Sequence, residues 1–237
     1  MAKKLKRNMD VEWSYEGTNG PENWHTLCDW FAEGATFPMQ SPINLVHAEI
    51  SQKNVVSEQL TFHYKSELFT EKEFKNTIHF VPFNTESYVI YQGVEYYLTD
   101  IHFHRPSEHI IDGEYQDMEF HLVHTNAQQK NLVVGVLCTF DQEGIDPQTM
   151  DPSSQWDYIE HKHFFSPQFF LPQQTAHFHY EGSLTTPPTM GPIPWFVFDT
   201  VQKINPSFLD EFHDEILEIN NRPIQDRQHR TIYYFDK

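Results

Sequence analysis

EYYLTDIHFHRPSEHIIDGEYQDMEFHLVH, residues 95–124, holds two stretches of alternating apolar and polar residues with Asp112-Gly113 between them. Such alternation marks a β-strand, in which side chains two apart leave the same face. His102 and His104 therefore present two imidazoles to one side of the first strand. Asp-Gly between runs of this kind signals a two-residue hairpin. That turn pairs residues whose numbers sum to 225, setting His104 opposite His121 and His102 opposite Val123. All three imidazoles then emerge on one face; a register slip of two keeps them together and a slip of one separates them. Three histidines with an open fourth position match a catalytic zinc centre, whereas structural zinc sites are closed and Cys-rich. On the residues alone, that reading stands level with three ordinary strand histidines. Asp100 and Glu119, two residues before His102 and His121, share their faces and are candidate acceptors for the outer ring nitrogens.

Outward from this hairpin the chain stays strand-rich. LTFHY, NTIHFV, SYVIY, NLVVGVLCTF, AHFHY and WFVFD are short alternating or apolar runs. Two further His-x-His pairs, His161/His163 and His177/His179, lack a third partner and read as ordinary strand or loop histidines. One helix is expected in PSFLDEFHDEILEI, capped by Asn205 or Ser207 with Pro206 in its first turn, and with Phe208, Leu209, Phe212 and Ile216 on one face. Residues 1–12 read as a flexible arm. No Gly-, Ser- or Pro-rich linker or repeat divides 13–237, which reads as one domain.

Composition bounds the function. Among 237 residues, 34 Asp and Glu against 16 Lys and Arg give a net charge of −18, which repels phosphate backbones and anionic headgroups and argues against nucleic-acid and membrane partners. No apolar run approaches the roughly 20 residues of a membrane span. Cys28 and Cys138 have no metal-type spacing, and Cys138 within LVVGVLCTF reads as a buried reduced thiol. Fifteen histidines are the unusual feature, since imidazole is the commonest metal ligand and the physiological proton carrier.

Together with WSYEGTNGPENW (13–24), QSPINL (40–45), HFHRPSEH (102–109), MEFHLVHTN (118–126), SLTTPP (183–188), Trp195 and NNRPIQ (220–225), all in order, the chain resembles the α-class carbonic anhydrases over nearly its whole length. The resemblance implies a mainly β, α+β fold: a large, twisted, mostly antiparallel central sheet of about ten strands with short peripheral helices. It implies zinc-dependent, reversible hydration of carbon dioxide to bicarbonate and a proton, with Zn2+ on His102, His104 and His121. It further implies that Thr185 orients the nucleophile and passes its own proton to Glu108, that Thr186 contacts bicarbonate, and that Val123, Val133, Leu184 and Trp195 wall the CO2 pocket. Glu119 supports His121, and Gln40 and Tyr15 lie behind the site less directly. Sulfonamides and anions are the inhibitors the family implies.

Three departures from the family pattern stand out. Asp100 replaces the usual amide before the first ligand. The cysteine pair of extracellular members, one after TTPP and one near QSPI, is missing. Asn76 occupies the place of the common proton-shuttle histidine, with His79 three residues on. The missing pair, and a start, MAKKLKRNMD, without an apolar stretch behind it, give a cytoplasmic expectation, or a periplasmic or extracellular one if the natural chain begins upstream. Oligomeric state is open, a homodimer included. Two rival families share part of this pattern. A cupin shares His-x-His-x-x-x-Glu (His102, His104, Glu108) but leaves SLTTPP and QSPINL unexplained. A non-catalytic carbonic-anhydrase-related protein typically lacks a zinc histidine, and all three are present here.

Overall fold

The computed structural model describes residues 11–74, 77–143, 146, 148–152, 162–212 and 218–236. Most of the expected arm, together with Asn76, His161 and Ile216, lies outside the described residues. In chain order the strands are β1 (Asn44–Leu45), β2 (Gln52–Lys53), β3 (Leu60–His63), β4 (Glu67–Phe74), β5 (Thr77–Pro82) and β6 (Tyr88–Tyr91). They continue with β7 (Val94–His104), β8 (Ile110–Ile111), β9 (Met118–Thr125), β10 (Asn131–Phe140) and β11 (Lys162–Phe165). β12 (His177–Gly182), β13 (Ile193–Phe198), β14 (Gln202–Ile204) and β15 (Tyr233–Phe235) complete the set.

Thirteen of these strands form one sheet, ordered β11-β4-β5-β7-β9-β10-β13-β12-β15-β2, with β14 beside β10 and with β6 bridging β3 to β7. Its pairings are antiparallel except where β10 meets β13 and β14 and where β15 meets β2. Every alternating run read from the sequence is a strand. β4 and β11 were not anticipated: ELFTEKEF carries four charged residues, and the short KHFF adds no alternation signal. No described helix is long and apolar enough to cross a membrane.

The central hairpin holds the main correction. Asp112 and Gly113 have φ of 49° and 88°, as a type I′ turn requires, but they close only a single bridge between Ile111 and Glu114. Residues 105–117 form an excursion in which β8 pairs in parallel with β1. Its anchor is the Glu119 carboxylate, which accepts the backbone N–H groups of Glu108 and His109 at 2.9 and 2.7 Å. The strands therefore pair with His102 opposite His121 and His104 opposite Glu119. This is a slip of two from the expected register, so the shared face survives. A complete two-residue hairpin occurs at Gln92-Gly93 instead, both at positive φ, joining β6 to β7.

The late helix is also different. Pro206–Glu211 is a 3-10 helix with the Asn205 side chain accepting from the Ser207 N–H. Phe208, Leu209 and Phe212 are buried as expected. They pack with Phe103 and Phe120 in the larger apolar core, on the side of β7 and β9 away from the histidines.

Candidate metal centre

Alternation on β7 and β9 delivers His102, His104 and His121 to one point, where one nitrogen from each lies within 4.8 Å of the others. The opposite nitrogen of each ring is held. His102 Nδ1 meets Asp100 Oδ2 at 2.6 Å, His104 Nδ1 meets the Asn220 carbonyl at 2.7 Å, and His121 Nε2 meets Glu119 Oε1 at 2.9 Å. Because a carbonyl or carboxylate only accepts, each held nitrogen carries a proton, and in the neutral ring the inward nitrogen offers a lone pair. The inward atoms are thus Nε2 of His102, Nε2 of His104 and Nδ1 of His121. Burial pushes His104 down to about 3 and His121 down to about 4, so both rings are neutral at pH 7, the form that binds a cation. His104 Nε2 is buried with no hydrogen-bond partner. An orphaned lone pair of this kind is costly unless something occupies the centre, and three imidazole nitrogens are a donor set suited to zinc.

The carboxylates behind the rings stay charged. Burial raises Asp100, but His102 and His79 outweigh it and hold the carboxyl well below the ordinary value. Glu119 behaves likewise through His109 and His121. Glu119 reaches beyond the expected partner, since its Oε1 also meets His109 Nδ1 at 2.7 Å while His109 Nε2 meets Tyr180 Oη at 2.7 Å. Tyr180 Oη lies 2.8 Å from Ser41 Oγ, which closes a fully buried chain.

Glu108 is buried beside the centre, its Oε2 3.6 Å from His104 Nε2. Burial raises its pKa, against the opposing pull of His121, the Thr185 hydroxyl and the Arg222 N–H. Arg222 N donates to Oε1 at 2.8 Å, and the Arg222 guanidinium donates to Gln40 Oε1 at 2.8 Å. Gln40 donates to the carbonyls of Phe37 and Thr189, bracing the turn after Thr185 and Thr186. The Tyr15 ring sits edge-on to His104, 6.5 Å between centroids, and burial with the nearby Glu108 charge keeps its phenol protonated. Val123, Val133, Leu184 and Trp195 fall in one apolar cluster, with the Trp195 ring 4.9 Å from that of His121.

A profile of the eukaryotic-type carbonic anhydrase family matches residues 19–236. The chain belongs to this family. A carbonic anhydrase from Nostoc sp. is 32% identical over 239 residues, covering 95% of this chain and 87% of that relative. The solved α-carbonic anhydrase of Thermovibrio ammonificans, in complex with the inhibitor sulfanilamide, superposes with a TM-score of 0.83 at 26% identity and covers 94% of this chain and 99% of its own. Dioscorin complexed with ascorbate gives 0.82 at 28% identity, with coverages of 95% and 98%.

Several residues with work at this carbonic anhydrase centre were not singled out from sequence. Asn220 supplies the His104 acceptor and also ties Arg105 N and the Phe103 carbonyl. Gly135 lies opposite His121, and a Cβ there would stand 2.8 Å from Glu119 Oε1. A glycine inside an apolar strand, facing a buried carboxylate two residues from a candidate ligand, is the signal that points to it. His79, which the sequence did single out, lies against the centre, its Nδ1 2.9 Å from both Asp100 oxygens and its ring 4.8 Å from that of His102.

Proposed function

We propose that the chain catalyses the reversible hydration of carbon dioxide to bicarbonate and a proton, with a zinc ion held by His102, His104 and His121. The observation that carries this reading is the convergence of three imidazole nitrogens whose outer nitrogens are all tied to acceptors, with His104 Nε2 buried and unpaired. Zinc there would supply Lewis acidity, making a water molecule ionise near neutral pH.

The chain's own residues do the rest. Glu108, an acceptor held by the Arg222 N–H, draws the Thr185 hydroxyl proton toward itself. The Thr185 oxygen is then left as an acceptor that fixes the orientation of the attacking oxygen. Val123, Val133, Leu184 and Trp195 offer carbon dioxide an apolar wall that competes poorly for water. Thr186 stands next to Thr185 to contact the bicarbonate product. Asp100, Asn220 and Glu119 hold the three rings in one tautomer each. Sulfonamides should compete, as the sulfanilamide complex of the Thermovibrio relative suggests.

Proton export is the weak step of this design. Asn76 has no titratable group. His79 faces the site and its side chain is 20% exposed, but Asp100 engages its Nδ1 and its Nε2 is buried without a partner, so neither ring nitrogen opens to solvent to release a proton. Turnover should therefore rise with the concentration of an imidazole-type buffer, and Asn76→His should raise it at low buffer. A high, buffer-independent turnover that falls in His79→Ala would assign the relay to His79 instead.

Stopped-flow carbon dioxide hydration tests the reading. The parent should be active, His121→Ala should lose nearly all activity together with the metal, and Thr185→Ala should keep the metal and lose rate. Full activity in His121→Ala would overturn it.

A further inference from the structure

On the face of β12 opposite Tyr180, a cleft of about 440 Å³ opens between β12, the Gln92-Gly93 turn and residues 229–233. Its floor is His179, 3% exposed, with Tyr91 and Glu58. His179 Nδ1 lies 2.8 Å from the Trp195 carbonyl and must donate to it. In the neutral ring Nε2 is then an acceptor. It faces Tyr91 Oη at 3.1 Å and Glu58 Oε2 at 3.4 Å. The single Tyr91 proton already goes to Glu58 Oε2 at 2.5 Å, while Gln92 Nε2 donates to Tyr91 Oη and to both Glu58 oxygens. Ser57 Oγ donates to Glu58 Oε1 as well, and Glu58 is only half-buried, so the one Tyr91 proton faces two acceptors, Glu58 Oε2 and the buried His179 Nε2.

The remaining lining shows what kind of donor could join Glu58. Arg230 is committed, its guanidinium donating to the carbonyls of Arg227, Asp226 and Glu181 and packing over Tyr180. Glu181 and His229 stand exposed at the rim. Tyr233, stacked on His179 with centroids 5.4 Å apart, joins Met39 and Pro194 in the wall. Two carboxylates, aromatic faces and a thioether, with the one arginine turned inward, favour a cation over an anion.

We propose that this cleft binds a small organic primary ammonium ion, its N–H groups donating to Glu58 and Glu181 and its apolar part lying on Tyr233, Met39 and Pro194. An ammonium N–H on Glu58 frees the Tyr91 hydroxyl to turn its proton to His179 Nε2, so that both acceptors are met. The ligand would sit on the far side of β12 from the metal centre.

Calorimetric titration of the zinc-loaded full chain with 2-phenylethylammonium, with and without saturating acetazolamide, tests this. Saturable binding is expected in both cases, weakened about tenfold or more in Glu58→Gln and measurably in Glu181→Gln. The neutral isostere 2-phenylethanol should not bind. Glu181 is exposed, so its variant decides the matter if Glu58→Gln does not fold. The proposal is overturned by absence of saturable binding, by equal affinity for the alcohol, by affinity undiminished in the folded variants, or by loss of binding under acetazolamide, which would place the amine at the metal centre.

Discussion

Ile101, Phe103, Phe120 and Leu122 on one face of β7 and β9 are completely buried. Phe103 and Phe120 there pack ring to ring against Phe208 and Phe170. Asp100, His102, His104, Glu119 and His121, their chain neighbours, form the other face, where every polar atom removed from water must find a partner. One face supplies hydrophobic stabilisation, each buried Phe contributing about 1.5–3 kcal/mol. The other spends hydrogen bonds to offset desolvation and leaves a lone pair unmet. Strand alternation thus lets stability and chemistry occupy adjacent residues without sharing a side chain, and substitutions one residue apart should separate them.

The largest effect is expected on the apolar face. Phe103→Ala should destabilise the fold by about 3–5 kcal/mol in denaturant unfolding, through lost transfer energy and a cavity, while zinc bound per folded chain stays at the parent value. A parallel loss of zinc affinity would erase the distinction between the faces. Next comes Glu119→Gln, which removes the charge that holds His109, His121 and two backbone N–H groups. Zinc affinity measured by chelator competition should fall about 10–100-fold; an unchanged affinity would mean that the ring needs no anchoring. Gly135→Ala acts on the same carboxylate from β10. Its new methyl group must push Glu119 Oε1 away, so zinc affinity should drop by less than in Glu119→Gln, and the unfolding free energy by about 1–3 kcal/mol through overpacking.

The smallest effect lies far from both faces, at His47. Its Nδ1 meets Asp112 Oδ2 at 2.7 Å and its Nε2 meets Asp199 Oδ2 at 3.1 Å, pinning the Asp112 turn to the end of β13. Partial burial lowers its pKa, but the two aspartates outweigh that and raise it. A raised folded-state pKa means stabilisation fully present below the unfolded value of about 6.5 and lost as pH rises through the folded value. The parent's advantage in Tm over His47→Ala should therefore be larger at pH 6 than at pH 8.5, and small throughout because the ring is exposed and screened. An advantage that grows with pH would contradict the assignment.

How much of this was legible in the sequence follows from what period-two patterning can and cannot carry. Alternation located the strands and put His102, His104 and His121 on one face, because parity survives any even slip. It could not fix the register itself, which is set by long-range events: β8 pairing with β1, and Glu119 catching the N–H groups of Glu108 and His109. Charged β4 escaped notice because its outward face carries no apolar period. Asn220 was hidden for another reason, since it serves His104 through a backbone carbonyl that any residue possesses. The choice of Nδ1 at His121 but Nε2 at the other two rings likewise depends on where the acceptors sit in space.

The central claim is that the polar face of β7 and β9 is a zinc centre that hydrates carbon dioxide. Metal analysis of the purified chain, paired with stopped-flow hydration before chelation, after it and after zinc is returned, tests this most directly. The account predicts one zinc per chain, activity lost with the metal and restored by it. Hydration that persists in metal-free protein, or a chain that binds no zinc at all, would contradict it.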